Sequence, residues 1–289
     1  MCCALGHHRT FSRLGFNFNQ AWNDRTRVGV SQYFALLEVI IEDFESTTIE
    51  TMSQEIKDII DELVVANKIL YNEGVVDGFG HISVRHPSKE NRFFIAKSMA
   101  PGLVSANDIL ECDFEGVIHD PENRTSYVER FIHSEIFRAR SDVNAVVHSH
   151  SPSVIPFGVT SQRLRPICHM SGFLGAQTPI YEIRHTAGES SDLLINSQKL
   201  GKSLANTLGS ATVALMRGHG SVVVGTSIKQ VVYRAIYTEA NAKLQLESMK
   251  IGAIEFLTEG EALATAAMAD IHLNRPWALW KEKALAQLN

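Results

Sequence analysis

Over residues 53–73 the apolar positions Ile56, Ile59, Ile60, Leu63, Val64, Ile69 and Leu70 recur at helical spacing, which predicts a helix with one face on a core. Met52 directly precedes Ser53-Gln54-Glu55, which reads as the start of that helix. Three glycines between Gly74 and Gly80 break the pattern. His81-Ile82-Ser83-Val84-Arg85 then alternates like a strand, and Arg92-Phe93-Phe94-Ile95-Ala96 predicts another before a loop at Pro101-Gly102. Residues 108–113 and 116–118 suggest a short hairpin. Glu129 to Ala139 reads as a helix burying Phe131, Ile132, Ile136 and Phe137, followed from Val143 to His148 by a strand. Ser151-Pro152-Ser153 predicts a helix start with proline in the first turn, and residues 192–207 and 225–248 predict two more helices. Thr212-Val213-Ala214-Leu215-Met216 is a further apolar run. Strands and helices alternate irregularly, without dinucleotide or phosphate-loop glycines, and the expected class is a three-layer α/β/α sandwich around a mixed sheet.

At 289 residues the chain can bury a full core, as one large domain or two small ones. A net charge of -5 argues against general nucleic-acid binding, and no apolar run approaches the ~20 residues that span a bilayer. The four cysteines (Cys2, Cys3, Cys112 and Cys168) form no C-x-x-C pair, which favours a reduced, cytoplasmic setting. Residues 1–23 carry Arg9 and Arg13 and no acidic residue, but no apolar targeting core follows. Residues 1–51 are therefore expected to be an extension, poorly ordered or partly helical. Residues 52–289 are expected to be a single catalytic domain with a C-terminal helical tail.

The chemistry gathers on histidines. His148 and His150 lie two apart in a strand-like run, so both imidazoles leave one face. His219, between Gly218 and Gly220, follows the Thr212–Met216 run, and its glycine neighbours allow close backbone approach. Three imidazoles meeting from strand ends would leave an open position on a divalent metal, the arrangement of a catalytic rather than a structural site.

The strings Glu129-Arg130-Phe131-Ile132-His133-Ser134-Glu135, Val146-Val147-His148-Ser149-His150-Ser151 and Arg217-Gly218-His219-Gly220 resemble the class II aldolase/adducin family, over roughly residues 55–250. The resemblance implies a mainly antiparallel sheet in that sandwich, a homotetramer with sites at subunit interfaces, and metal ligation by His148, His150 and His219. The expected ion is zinc, with iron(II) or manganese(II) as alternatives. It also implies an acid/base or fourth-ligand role for Glu129, nineteen residues before His148. His133 lies one helical turn on from Glu129 and is a candidate catalytic partner. His81, Ser83, Arg130, Arg217 and His169 are candidate substrate contacts, the arginines as carboxylate anchors.

Two departures from the aldolase pattern bear on substrate. Gly80-His81-Ile82-Ser83 stands where the aldolases have Gly-Asn-x-Ser, and Tyr127-Val128 replaces paired serines. Both sit on the phosphate side, so a non-phosphorylated substrate is expected. Ala100-Pro101, Glu129 to His133 and His169 to Gly175 are similar to decarboxylases of aminocoumarin pathways, which use iron oxidatively. The expected function is a divalent-metal lyase cleaving a C–C bond beside a carbonyl or carboxylate of a small hydroxy-carbonyl substrate, by retro-aldol cleavage or decarboxylation. An Fe(II)-dependent oxidative decarboxylase and a non-catalytic adducin-like interaction module are the alternatives.

Overall fold

The computed structural model describes the backbone of residues 30–286 and the side chains of residues 51–286. Residues 1–54 and 55–289 are two compact units. Of the expected extension, residues 1–29 lie outside the described residues and residues 30–51 are helical. They open α1 (Val30–Asn72), which is continuous through Ser53, so the expected helix start at that serine is not an end of the helix.

The chain continues through β1 (His81–Arg85), β2 (Arg92–Ala96), β3 (Ile109–Asp113), β4 (Ile118–His119), α2 (Arg130–Ala139) and β5 (Ala145–Ser149). After these come α3 (Ile155–Val159), β6 (Ile180–Tyr181), α4 (Arg184–Ala187), α5 (Gln198–Leu208), β7 (Val213–Met216) and β8 (Gly220–Gly225). The helices α6 (Ile228–Ile251), α7 (Glu259–Ile271) and α8 (Asn274–Ala286) complete the described chain. The strands form one eight-stranded sheet in the order β4-β3-β2-β1-β5-β8-β7-β6. Every pairing is antiparallel except β6 with β7.

Alternation along the strands sorts the side chains onto two faces. Ile82 and Val84 of β1, Ala145 and Val147 of β5 and Val223 of β8 join one apolar cluster with Leu63 and Ile69 of α1 and Val231 and Val232 of α6. Phe93 and Ile95 of β2, Val146 of β5 and Val222 and Val224 of β8 join the other, with Ile132 and Ile136 of α2 and Leu200 and Leu204 of α5. The result is the expected three-layer sandwich around a mixed, mainly antiparallel sheet. His81, Ser83 and Arg85 alternate with Ile82 and Val84, and His148 follows Val146 by two, so all four stand on the α2 face. Arg85 Nη2 confirms this by donating to the Phe137 carbonyl of α2 at 2.9 Å. Polar residues on the buried face of a sheet mark the site.

Two helix starts and one strand differ from the pattern. The helix expected from Ser151 begins at Ile155, and Pro156 rather than Pro152 occupies its first turn. The helix expected from residue 192 begins at Gln198. β8 is missing from the predicted elements because Val222-Val223-Val224 is buried on both faces and shows no alternation. Among the described residues no helix is long and apolar enough to cross a membrane.

Candidate metal centre and active site

Two antiparallel strands bring the distant histidines together. In the β5–β8 register Ser149 lies opposite Ser221, and β8 begins at Gly220, just after His219. A side chain at position 220 would strike the Ser149 carbonyl, so glycine is what lets this strand start against the end of β5. His150 and His219 consequently meet with Nε2 atoms 2.9 Å apart, and His148 Nε2 lies 3.2 Å from His150 Nε2. Glu129 Oε2 stands 3.5 Å from both His148 Nε2 and His219 Nε2. All four ligand atoms fall within 4.8 Å of one another.

This donor set fits a divalent cation. The His148 Nδ1–H donates to the Ser221 carbonyl and the His219 Nδ1–H to the Leu193 carbonyl, each at 3.0 Å. A carbonyl oxygen only accepts, so these nitrogens hold the ring protons and both Nε2 lone pairs point inward. Zinc–nitrogen bonds of about 2.1 Å would set tetrahedral ligand atoms about 3.4 Å apart, close to the spacings found here. Burial and then the neighbouring His148 and His219 hold the His150 imidazole down to about 4, which keeps it an unprotonated donor.

Glu129 occupies the N-cap position of α2, but its side chain makes no capping bond. Oε1 accepts the Ile195 N–H at 2.9 Å, which leaves Oε2 for the histidines. Burial by itself would raise this carboxyl, yet its proximity to His148 and His219 holds it far below the usual carboxylate range. The same contacts explain why residues 192–197 are not helical. The Ile195 N–H serves Glu129, and the Leu193 carbonyl serves His219 from a backbone φ of 68°. A branched-chain residue held in that region is strained, and here the strain aims a carbonyl at a candidate ligand.

Behind the cluster runs a second chain of polar contacts. Ser83 Oγ lies 2.5 Å from His133 Nδ1, and His133 Nε2 lies 2.6 Å from His81 Nδ1. His81 opposes His148 in the β1–β5 register, with ring centroids 5.1 Å apart, and Tyr127 stacks on it at 4.5 Å. The Tyr127 hydroxyl donates to the Met99 carbonyl, which fixes that ring. Burial, followed by the proximity of His148, pushes His133 down to about 3, and burial with its histidine neighbours holds His81 well below its ordinary value.

His133 carries a pH prediction. Its folded-state value lies below the ordinary unfolded value near 6.5, so the unfolded chain takes up the proton first as pH falls. Stability is therefore complete above about pH 6.5 and falls by up to roughly 1.4 kcal/mol per pH unit toward pH 3. Urea unfolding of metal-free protein is expected to show a lower midpoint at pH 5 than at pH 7. Equal midpoints would contradict a buried neutral His133.

Arg130, Arg217 and His169 make no described contact with the histidine cluster. Arg130 donates from Nε to the Gly116 carbonyl at 2.6 Å and from Nη1 to the Tyr127 carbonyl at 3.1 Å, so its guanidinium is engaged with backbone. Arg217 Nε pairs with Glu182 Oε2 at 2.5 Å. His169 is exposed in a short 3-10 turn, His169–Leu174, and has no described contact with the histidine cluster. Ser83 is fully buried and touches His133. Sequence reasoning read Tyr127 only as a replacement for a serine and missed two contributors: the 193–195 backbone, and Phe79, which is 70% exposed with its ring 6.1 Å from that of His150. A large exposed aromatic in a glycine-rich loop was the available signal for Phe79.

Residues 61–246 match the profile of the class II aldolase and adducin N-terminal domain. The chain is 40% identical over 239 residues to the decarboxylase tropJ of Talaromyces stipitatus, covering 73% of this chain and 88% of that protein. It is 28% identical over 204 residues to a 3,4-dihydroxyphthalate decarboxylase of Arthrobacter keyseri, covering 66% of this chain and 78% of that one. Among solved structures, an L-fuculose 1-phosphate aldolase from Glaciozyma antarctica superposes with a TM-score of 0.68 at 23% identity, covering 82% of this chain and 93% of the aldolase. That likeness establishes the fold.

Proposed function

The chain belongs to the class II aldolase and adducin family, and from that premise we propose that it is a divalent-metal lyase that decarboxylates a small, non-phosphorylated hydroxy acid. The observation that carries the proposal is the inward-facing set of Glu129, His148, His150 and His219. Decarboxylation is preferred to aldol cleavage because two relatives, one of them 40% identical, are named as decarboxylases. The relative acting on 3,4-dihydroxyphthalate suggests a hydroxylated aromatic acid. Arg130 and Arg217, the two candidate anion anchors, are both engaged in the fold, which supports a substrate without phosphate.

A cation held by the three imidazoles, with Glu129 beside it, would act as a Lewis acid toward substrate oxygens at its open position. Zinc is our first assignment, and manganese(II) or iron(II) suit the same nitrogen and oxygen donors. Glu129 Oε2, ionised and buried, takes the proton of a substrate hydroxyl next to the carboxylate. The carbon–carboxylate bond then breaks, its electron pair stays on the substrate carbon, and CO2 leaves. Glu129 returns the proton to that carbon, and the product oxygen takes a proton from water. Phe79, exposed beside His150, offers an apolar face for an aromatic ring.

The test is CO2 release from 3,4-dihydroxyphthalate and related hydroxybenzoic acids under strictly anaerobic conditions, with elemental analysis of the same preparation. About one metal ion per chain and undiminished turnover without O2 are expected, with loss on chelation and recovery on adding back the ion. Turnover that stops without O2 would favour the oxidative alternative, and protein purified without metal would sink the reading.

A further inference from the structure

The contacts around His81 settle which of its nitrogens bears a proton. Ser83 is fully buried, and its hydroxyl has one hydrogen-bond partner among the described residues, His133 Nδ1 at 2.5 Å. A buried hydroxyl hydrogen needs an acceptor, so Ser83 donates and His133 Nδ1 carries a lone pair. His133, fully buried, then bears its proton on Nε2 and donates it to His81 Nδ1 at 2.6 Å. His81 is thereby left neutral with its proton on Nε2. No hydrogen-bond partner takes that N–H among the described residues, and it is not sealed off from the site, the residue being 4% exposed. The ring is clamped between Tyr127 at 4.5 Å and His148 at 5.1 Å, so the unpaired donor is held beside the candidate metal centre.

We propose that His81 is a substrate-binding hydrogen-bond donor, acting through Nε2–H on a substrate oxygen next to the metal centre, and that His133 and Ser83 are positioning residues that hold it in this tautomer. No proton leaves His81 in this role. Loss of Nε2–H would require the chain to end on a Ser83 alkoxide. The arrangement gives the site a neutral donor, which stabilises charge growing on a phenolic or enolic oxygen without pinning the carboxylate that must leave. The proposal rests on the lyase reading for its substrate, while its tautomer assignment does not depend on it.

Two measurements test it. Ring-15N spectra of the metal-free protein between pH 6 and 8 are expected to show both His81 and His133 as neutral Nε2–H rings. A Nδ1–H form or an imidazolium at either residue overturns the assignment, whatever the protein catalyses. In the turnover assay, Ser83→Ala is expected to lower kcat about 10-fold with KM and metal content unchanged, and Ser83→Thr, which keeps the hydroxyl, to restore it. His81→Leu is expected to lose 10²–10³-fold in kcat, as for removal of one preorganised donor. His81→Gln, whose amide nitrogen reaches near the Nε2 position, is expected to retain more than His81→Leu. Unchanged kcat in Ser83→Ala and His81→Leu would overturn the donor role. Absence of any decarboxylation by the wild type would instead remove the lyase reading, and the ring-nitrogen spectra would still decide the tautomer.

Discussion

His219→Ala is expected to abolish stoichiometric metal binding and to reduce CO2 release by ~10³-fold or more, since electrostatic stabilisation by a metal exceeds that of one preorganised donor. His219 reaches the cluster from the β7–β8 turn, and its Nε2 lies 2.9 Å from His150 Nε2, so no nearby group replaces it. The substitution also strips the Leu193 carbonyl of its partner, which costs about 1–3 kcal/mol if that oxygen stays buried. Unfolding midpoints therefore have to accompany the metal analysis. His150→Ala provides the control, because its Nδ1 has no hydrogen-bond partner among the described residues. Both variants are expected to fold, and both to lose the ion. A His219→Ala protein that still holds one ion per chain and turns over normally would refute the proposed centre.

Glu129→Gln is expected to cost about 10²-fold or more in turnover, within the range for loss of a positioned acid/base. The amide can still accept the Ile195 N–H through its oxygen, so the 193–195 segment keeps its anchor and the fold is preserved. What disappears is the negative charge facing His148 and His219, together with the proton-accepting oxygen at Oε2. An amide nitrogen there also directs hydrogens where the imidazole lone pairs need a cation. Metal affinity measured by competition with a chelator is expected to fall by about 10–100-fold, comparable to the loss of an orienting partner. Retention of both full activity and full affinity would remove Glu129 from the mechanism.

Much of the site was legible because its residues obey local rules. His148 and His150 share a face since side chains alternate along a strand, and Glu129 and His133 share a helical face one turn apart. The arginines show where such local reading stops. Arg130 and Arg217 sit next to site residues in the chain, but sequence adjacency does not say where a long side chain ends. One lies along the Gly116 and Tyr127 carbonyls and the other on Glu182. The helix start misplaced at residue 192 has a similar origin. Its local pattern suits a helix, while its backbone groups are claimed by Glu129 and His219, which are remote in the chain.

By itself the sequence determined the layer architecture, the face each strand residue takes, the family, and the three imidazoles and one carboxylate of the candidate centre. These follow from short-range periodicity and from residue types that few other roles require. Only the tertiary structure decided that His81 lies opposite His148, that Ser83 and His133 form a hydrogen-bonded line behind it, and that the Leu193 carbonyl and Ile195 N–H complete the site. Strand register and helix placement set these contacts. Both come from burying two apolar faces at once, a balance over the whole sheet that no local stretch of chain encodes.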